Sequence, residues 1–108
     1  MTGRPEITGP ELLERIAAGD APAILDVRSR WEFDRGHVPG AIHLPFWKVL
    51  GSLASPAFRR DQPIVMYCLY GPRAWMAAAV LRTRGVGRIR LLTGHMAAWR
   101  RAHRSEEA

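Results

Sequence analysis

A chain of 108 residues has the length of one domain and can bury a single hydrophobic core, so one domain over residues 1–108 is expected. Hydrophobic residues make up 47% of it, which sets it apart from disordered chains, and no apolar run approaches the ~20 residues a bilayer needs. The net charge of +6 raises the question of nucleic acid. However, fifteen of the 16 basic residues are arginines scattered from Arg4 to Arg104, with Lys48 the one lysine. Scatter of this kind is compositional bias rather than a binding footprint, so neither nucleic acid nor membrane is expected as a partner. A basic field still attracts small anions to a cleft.

In chain order, Met1-Thr2-Gly3-Arg4-Pro5-Glu6 lacks the charged-then-apolar pattern of a signal peptide, and a cytoplasmic protein is expected. Thr8-Gly9-Pro10-Glu11 has the form of a capping box, with proline early in the first turn. Leu12, Leu13, Ile16 and Ala17 follow at helical spacing, and Gly19 stops the helix. Ala23-Ile24-Leu25-Asp26-Val27 is a short apolar run of buried-strand type. Residues 31–35 make one helical turn before Gly36, and Pro39-Gly40 is a turn. Ala41-Ile42-His43-Leu44 is a second strand, and Pro45 opens a short helix to about Leu53. Beyond a polar stretch over residues 59–62, Ile64-Val65-Met66-Tyr67 is the clearest strand. It runs into Cys68-Leu69-Tyr70-Gly71-Pro72-Arg73 and a helix to about Arg84, closed by Gly85. Ile89-Arg90-Leu91-Leu92 is the last strand, residues 95–103 the last helix, and residues 105–108 a loose tail.

Strands and helices alternate with short connections. That pattern predicts an α/β fold in three layers, with a central, mostly parallel sheet of about five strands and helices on both faces. In such sheets ligands bind beyond the carboxyl ends of the strands, where the loop after residue 67 lies.

Cys68 is the only cysteine, so it can form no internal disulfide. A lone cysteine in an intracellular protein is a candidate nucleophile, and its bland alternative is a small buried hydrophobe. Backbone N–H groups of a loop wrapped at a helix N-terminus point inward and stabilise a thiolate. Gly71 supplies the permissive backbone angles, and Pro72 suits the first helical position while removing one N–H from the cradle. Arg73 opposes the macrodipole in the first turn, so helix stability alone does not select it. Its forked donors suit an oxyanion lying over Cys68; the alternative is a surface arginine.

The segment Cys68-x-x-Gly71-x-Arg73 resembles the active-site loop of single-domain rhodaneses. Three further stretches resemble that family's upstream signature: Leu25-Asp26-Val27-Arg28, Trp31-Glu32-Phe33, and the run from Gly36-His37-Val38-Pro39-Gly40 to Pro45. Leu91-Leu92-Thr93-Gly94, with Trp99 five residues on, resembles its C-terminal element, so the likeness spans about residues 6–100. The resemblance implies a rhodanese-like fold and a sulfurtransferase of the thiosulfate sulfurtransferase type. Cys68 would be its catalytic residue, and Leu69, Tyr70, Gly71, Arg73 and Ala74 would bind a small anionic sulfur donor. Arg28 would join these substrate-binding residues by adding positive potential, and Asp26 would support the loop by charge pairing, with a purely structural salt bridge as the alternative. No metal or organic cofactor is implied. A thiol, cyanide or a protein acceptor would take the sulfur from a Cys68 persulfide, and with no second cysteine that acceptor comes from outside the chain.

His37, with Glu32 as its expected partner, is read as a turn stabiliser, since thiolate attack on sulfur needs no base. Trp75, Met76 and Val80 lie on a helix that is apolar nearly all round and are expected in the core. Trp31, Trp47 and Tyr70 are candidates for a pocket rim. Three departures from the family pattern stand out: Thr93-Gly94 where paired glycines are common, Ala74 where a small hydroxyl residue often follows the arginine, and Pro72 in the loop. Cysteine phosphatases use a loop one residue longer, so four residues between Cys68 and Arg73 favour a sulfur-sized ligand. A persulfide carrier or interaction module working with a protein partner is the competing role.

Overall fold

Five strands and five helices alternate along the described residues, 5–51 and 61–108, of the computed structural model. In order they are β1 (Glu6–Ile7), α1 (Gly9–Ala17), β2 (Ala23–Asp26), α2 (Arg30–Asp34) and β3 (Ile42–His43). Then come α3 (Phe46–Gly51), β4 (Ile64–Tyr67), α4 (Pro72–Thr83), β5 (Ile89–Leu92) and α5 (His95–Arg101). The strand order is β1-β5-β4-β2-β3, and every neighbouring pair is parallel. Parallel neighbours need crossovers, and each crossover here carries a helix, so the expected α/β layering is found.

β4 lies at the centre, and its residues alternate between faces as a strand must. Ile64, Met66 and then Cys68 join one core with Ala74, Ala77, Ala78 and Leu81 of α4. Val65 and Tyr67 join the other, with Leu12 of α1 and with Met96 and Trp99 of α5. The nucleophile candidate therefore leaves the sheet on the α4 side, at its carboxyl end.

Local signals account for most element boundaries. Thr8 Oγ1 accepts the Glu11 N–H at 3.2 Å to start α1, and Gly19, at φ 71°, follows its end. α2 opens on a complete capping box, with Ser29 and Glu32 each bonding the other's backbone N–H. β1 is only two residues long and shows no periodicity. It exists because Glu6 and Ile7 pair with Leu91 and Leu92, and Thr93 Oγ1 donates to Glu6 Oε1 at 2.9 Å. The expected end of α3 at Leu53, residues 59–60 of the polar stretch and residues 1–4 lie outside the described residues. Among the described residues no helix is long and apolar enough to cross a membrane.

Two expectations are corrected here. Trp75 and Met76 are 64% and 44% exposed, and Val80 is half-buried, so these residues are not the core face of α4. The buried face is Ala74, Ala77, Ala78 and Leu81, at helical spacing, whose small side chains let the helix lie close to the sheet. Residues 105–108 are not loose either. Glu107 and His37 exchange backbone hydrogen bonds of 2.7 and 2.8 Å, Glu107 Oε1 accepts the Gly40 N–H, and Ser105 O accepts Trp99 Nε1–H.

Candidate functional site

Cys68 is 1% exposed, as the bland reading of a lone cysteine requires, yet its sulfur is not in a purely apolar setting. The loop folds back so that the Gly71 N–H donates to Cys68 Sγ at 3.0 Å. Gly71 has φ 129°, which only glycine adopts readily, and Trp75 N–H donates to its carbonyl as α4 begins. Burial pushes the Cys68 thiol up. Hydrogen bonds from the His95 side chain and the Ala74 and Gly71 backbone outweigh burial and bring it from 9.0 down to about 7. Pro72 removes its own N–H from the cradle, and donors on either side of it, from Gly71 and Ala74, serve the sulfur. The Ala74 methyl is buried in the core, so its part in the site is its backbone.

The loop is also stitched to α5. Met96 N–H donates to Cys68 O at 3.0 Å and Ala97 N–H to Leu69 O at 3.1 Å, which satisfies two of the free amides of the α5 first turn. The Cys68 N–H donates to His95 Nδ1 at 3.2 Å. His95 is 8% exposed, and sequence reasoning did not single it out. Both Gly94 (φ 73°) and His95 (φ 56°) are left-handed, a geometry that suits glycine and disfavours histidine. The legible signal for His95 was a histidine directly after Gly94 at the start of the last helix.

Arg73 was expected to aim at an anion over Cys68. Its guanidinium instead grips Glu32, with Nη1–Oε1 at 2.7 Å and Nη2–Oε2 at 3.1 Å. This hydrogen-bonded pair, more than any other contact, holds the Glu32 carboxyl down to about 2. Glu32 is therefore the partner of Arg73 and Ser29, not of His37. His37 stacks on Phe33 with ring centroids 3.8 Å apart, and its Nδ1 lies 2.9 Å from Phe33 O.

Arg28 is corrected more sharply, because its side chain is fully buried and its Nε and Nη2 are already engaged within the protein. Its Nε and Nη2 grip Asp26, which is equally buried, and Nη2 also donates to Gly36 O at 2.8 Å. The Arg28 backbone N–H caps Asp26 Oδ1, and the Tyr67 hydroxyl accepts the Val38 N–H beside them. This network fixes residues 26–38 against the end of β4, immediately before Cys68. Leu69 packs its side chain against the α5-side core, leaving only its backbone to the loop interior.

Tyr70 projects from the loop at 74% exposure. With Gly71, Pro72, Trp75, Met76, Leu91 and His95 it lines an open, mainly apolar groove of about 450 Å³ between α4 and the end of β5. Trp31 and Trp47 are exposed but do not line it. Among the described residues no group of three metal-ligating side chains converges. The arrangement provides a thiolate near neutral pH, amide donors around its sulfur, and an arginine–glutamate pair beside it.

The Rhodanese-like domain family model matches residues 8–102. A protein of Allochromatium vinosum named a sulfurtransferase is 31% identical, covering 89% of this chain and 88% of its own length. The human thiosulfate:glutathione sulfurtransferase is 30% identical, covering 92% of this chain and 96% of its own. Among solved structures, a human single-domain sulfurtransferase matches with a TM-score of 0.81 at 28% identity, covering 92% of this chain and 97% of that one.

Proposed function

The chain belongs to the rhodanese-like domain family, in which the Allochromatium vinosum and human relatives are named sulfurtransferases, and from that premise we propose a mechanism for it through Cys68. A sulfane sulfur passes from thiosulfate or a similar anionic donor to a thiol or cyanide. The observation that carries this reading is the Gly71 N–H on Cys68 Sγ at 3.0 Å, in a loop whose hydrogen bonds bring the thiol down to about 7. A thiolate is the attacking species in sulfur exchange, and a useful fraction of it exists at neutral pH.

In the first step the Cys68 thiolate attacks the outer sulfur of thiosulfate. A new S–S bond forms to Cys68, the donor's S–S bond breaks, and its electron pair leaves with sulfite. The product is a Cys68 persulfide anion, whose terminal sulfur takes the place of the thiolate charge near the loop amides. In the second step a thiol attacks the terminal sulfur, its proton passing to that sulfur, and the Cys68 thiolate is regenerated. The net basic charge favours approach of the anionic donor. Arg73 contributes less to this than a free guanidinium would, because Glu32 balances it.

A second reading has one observation in its favour. The apolar groove bearing Tyr70, Trp75 and Met76 adjoins Gly71, and exposed aromatic and methionine surface of this kind suits a protein acceptor. The protein would then be a persulfide carrier with little free-standing turnover. Initial rates across thiosulfate concentrations at several fixed concentrations of cyanide and of small thiols separate the two. The enzyme reading expects parallel double-reciprocal lines, as covalent two-step catalysis requires. Intersecting lines would contradict a free persulfide intermediate, and negligible turnover with every small acceptor would favour the carrier.

A further inference from the structure

We propose that His95 is a positioning residue for Cys68, its imidazole holding the Cys68 amide and standing beside the sulfur cradle as a polarising group. Three geometric facts meet at this residue. Its Nδ1 lies 3.2 Å from the Cys68 nitrogen, so the Cys68 N–H has an acceptor and the ring carries its hydrogen on Nε2. That Nε2 borders the loop: a Cβ placed on Gly71 would come within 3.1 Å of it. Third, the ring is buried at 8% exposure although the residue sits at φ 56°.

The backbone cost is informative. Left-handed geometry disfavours histidine and suits glycine, so folding alone would select glycine after Gly94. A histidine kept there, buried, and bonded to the backbone of the nucleophile points to a gain from its ring. The hydrogen bond from its side chain is also the largest of the influences that lower the Cys68 thiol. A charged group that also acts on Cys68 is Arg73 of α4, itself paired with Glu32 of α2. His95 on α5 therefore adds a group near Cys68 from a different element than Arg73, a cation already engaged by Glu32.

The inference rests on Cys68 as the nucleophile, but its test requires no sulfur transfer, so it fails or stands separately from the sulfurtransferase reading. The test is the pH dependence of Cys68 alkylation by iodoacetamide in the wild type, His95→Gly and His95→Asn. Glycine suits φ 56° without strain. Asparagine tolerates that geometry and keeps an acceptor for the Cys68 N–H, which guards against a variant that merely fails to fold. The expected result is a midpoint near 7 in the wild type and higher by about one unit in both variants, a roughly tenfold loss of thiolate at neutral pH. A wild-type midpoint retained in folded His95→Asn would overturn the proposal and leave the ring as packing.

Discussion

At the scale of single residues, the protein handles a buried ion pair and a buried thiol in different ways. Asp26 and Arg28 are both removed from water, and such a pair survives because the two charges compensate each other, although Arg28 Nη1 has no hydrogen-bond partner among the described residues. Asp26→Asn leaves the guanidinium buried without its counter-charge. The expected loss is about 3–5 kcal/mol, a large share of the ~5–15 kcal/mol typical of a domain, measured by urea denaturation. A loss below 1 kcal/mol would mean that Arg28 finds another partner or reaches water. Cys68 is the second case. Its folded-state value of about 7 lies below the ordinary 9.0, so the folded protein favours the thiolate. The thiol therefore adds stability above pH 9, and this contribution is lost as pH falls through about 7. Reactivity follows the same titration, with sulfur uptake expected to rise between pH 6 and 8 and level off above. A rate flat across that range would place the thiol elsewhere.

The residues also show where sequence reasoning stops. Cys68, Gly71 and Arg73 carry a recognisable spacing, and the structure brings them into one loop. The chain does not reveal that Arg73 turns to Glu32, because the two are 41 positions apart and only the fold brings them together. Arg28 was misassigned for a similar reason. Its position two residues after Asp26 indicates pairing, but not complete burial.

At the scale of elements, the Cys68 loop works because a strand ends and a helix begins within a few residues. Gly71 is the hinge of that turn, with φ 129° and His95 pressed close beneath. Gly71→Ala is expected to cost about 1–3 kcal/mol from backbone strain. It should also slow alkylation of Cys68, since the Gly71 N–H moves off the sulfur. Gly87→Ala is the control, because no heavy atom of the described residues, its chain neighbours aside, lies within 4 Å of a Cβ placed there and its φ lies outside the left-handed region. Its expected effect is within about 0.5 kcal/mol. Equal losses in both variants would contradict a special role for residue 71. α4 illustrates the limit of periodicity: with apolar residues all round, pattern alone could not tell the alanine face from the Trp75 and Met76 face. Close packing on the sheet decided it.

At the scale of the whole molecule, alternation of strands and helices was enough to read the fold class, since parallel strands demand crossovers. Four strands were legible because each is a short apolar run between turn signals. β1 was not, because two residues have no period and its existence depends on β5. The C-terminal residues misled for the opposite reason. Ser105, Glu106 and Glu107 look like solvated polar chain, yet Glu107 pairs with His37 beside the turn at Gly40. These polar contacts help hold residues 36–40 where Arg28 reaches the Gly36 carbonyl. β4 delivers the thiol, α5 bonds its backbone, and the buried ion pair holds residues 26–36 beside the end of that strand.

The central claim is that this thiol accepts and holds one sulfur atom. Intact-mass analysis after incubation with thiosulfate and removal of small molecules tests it most directly. The account predicts a gain of one sulfur atom in the wild type, reversed by a reducing thiol, and no gain in Cys68→Ser. An unmodified wild-type mass across several sulfane donors, or an equal gain in Cys68→Ser, would contradict it.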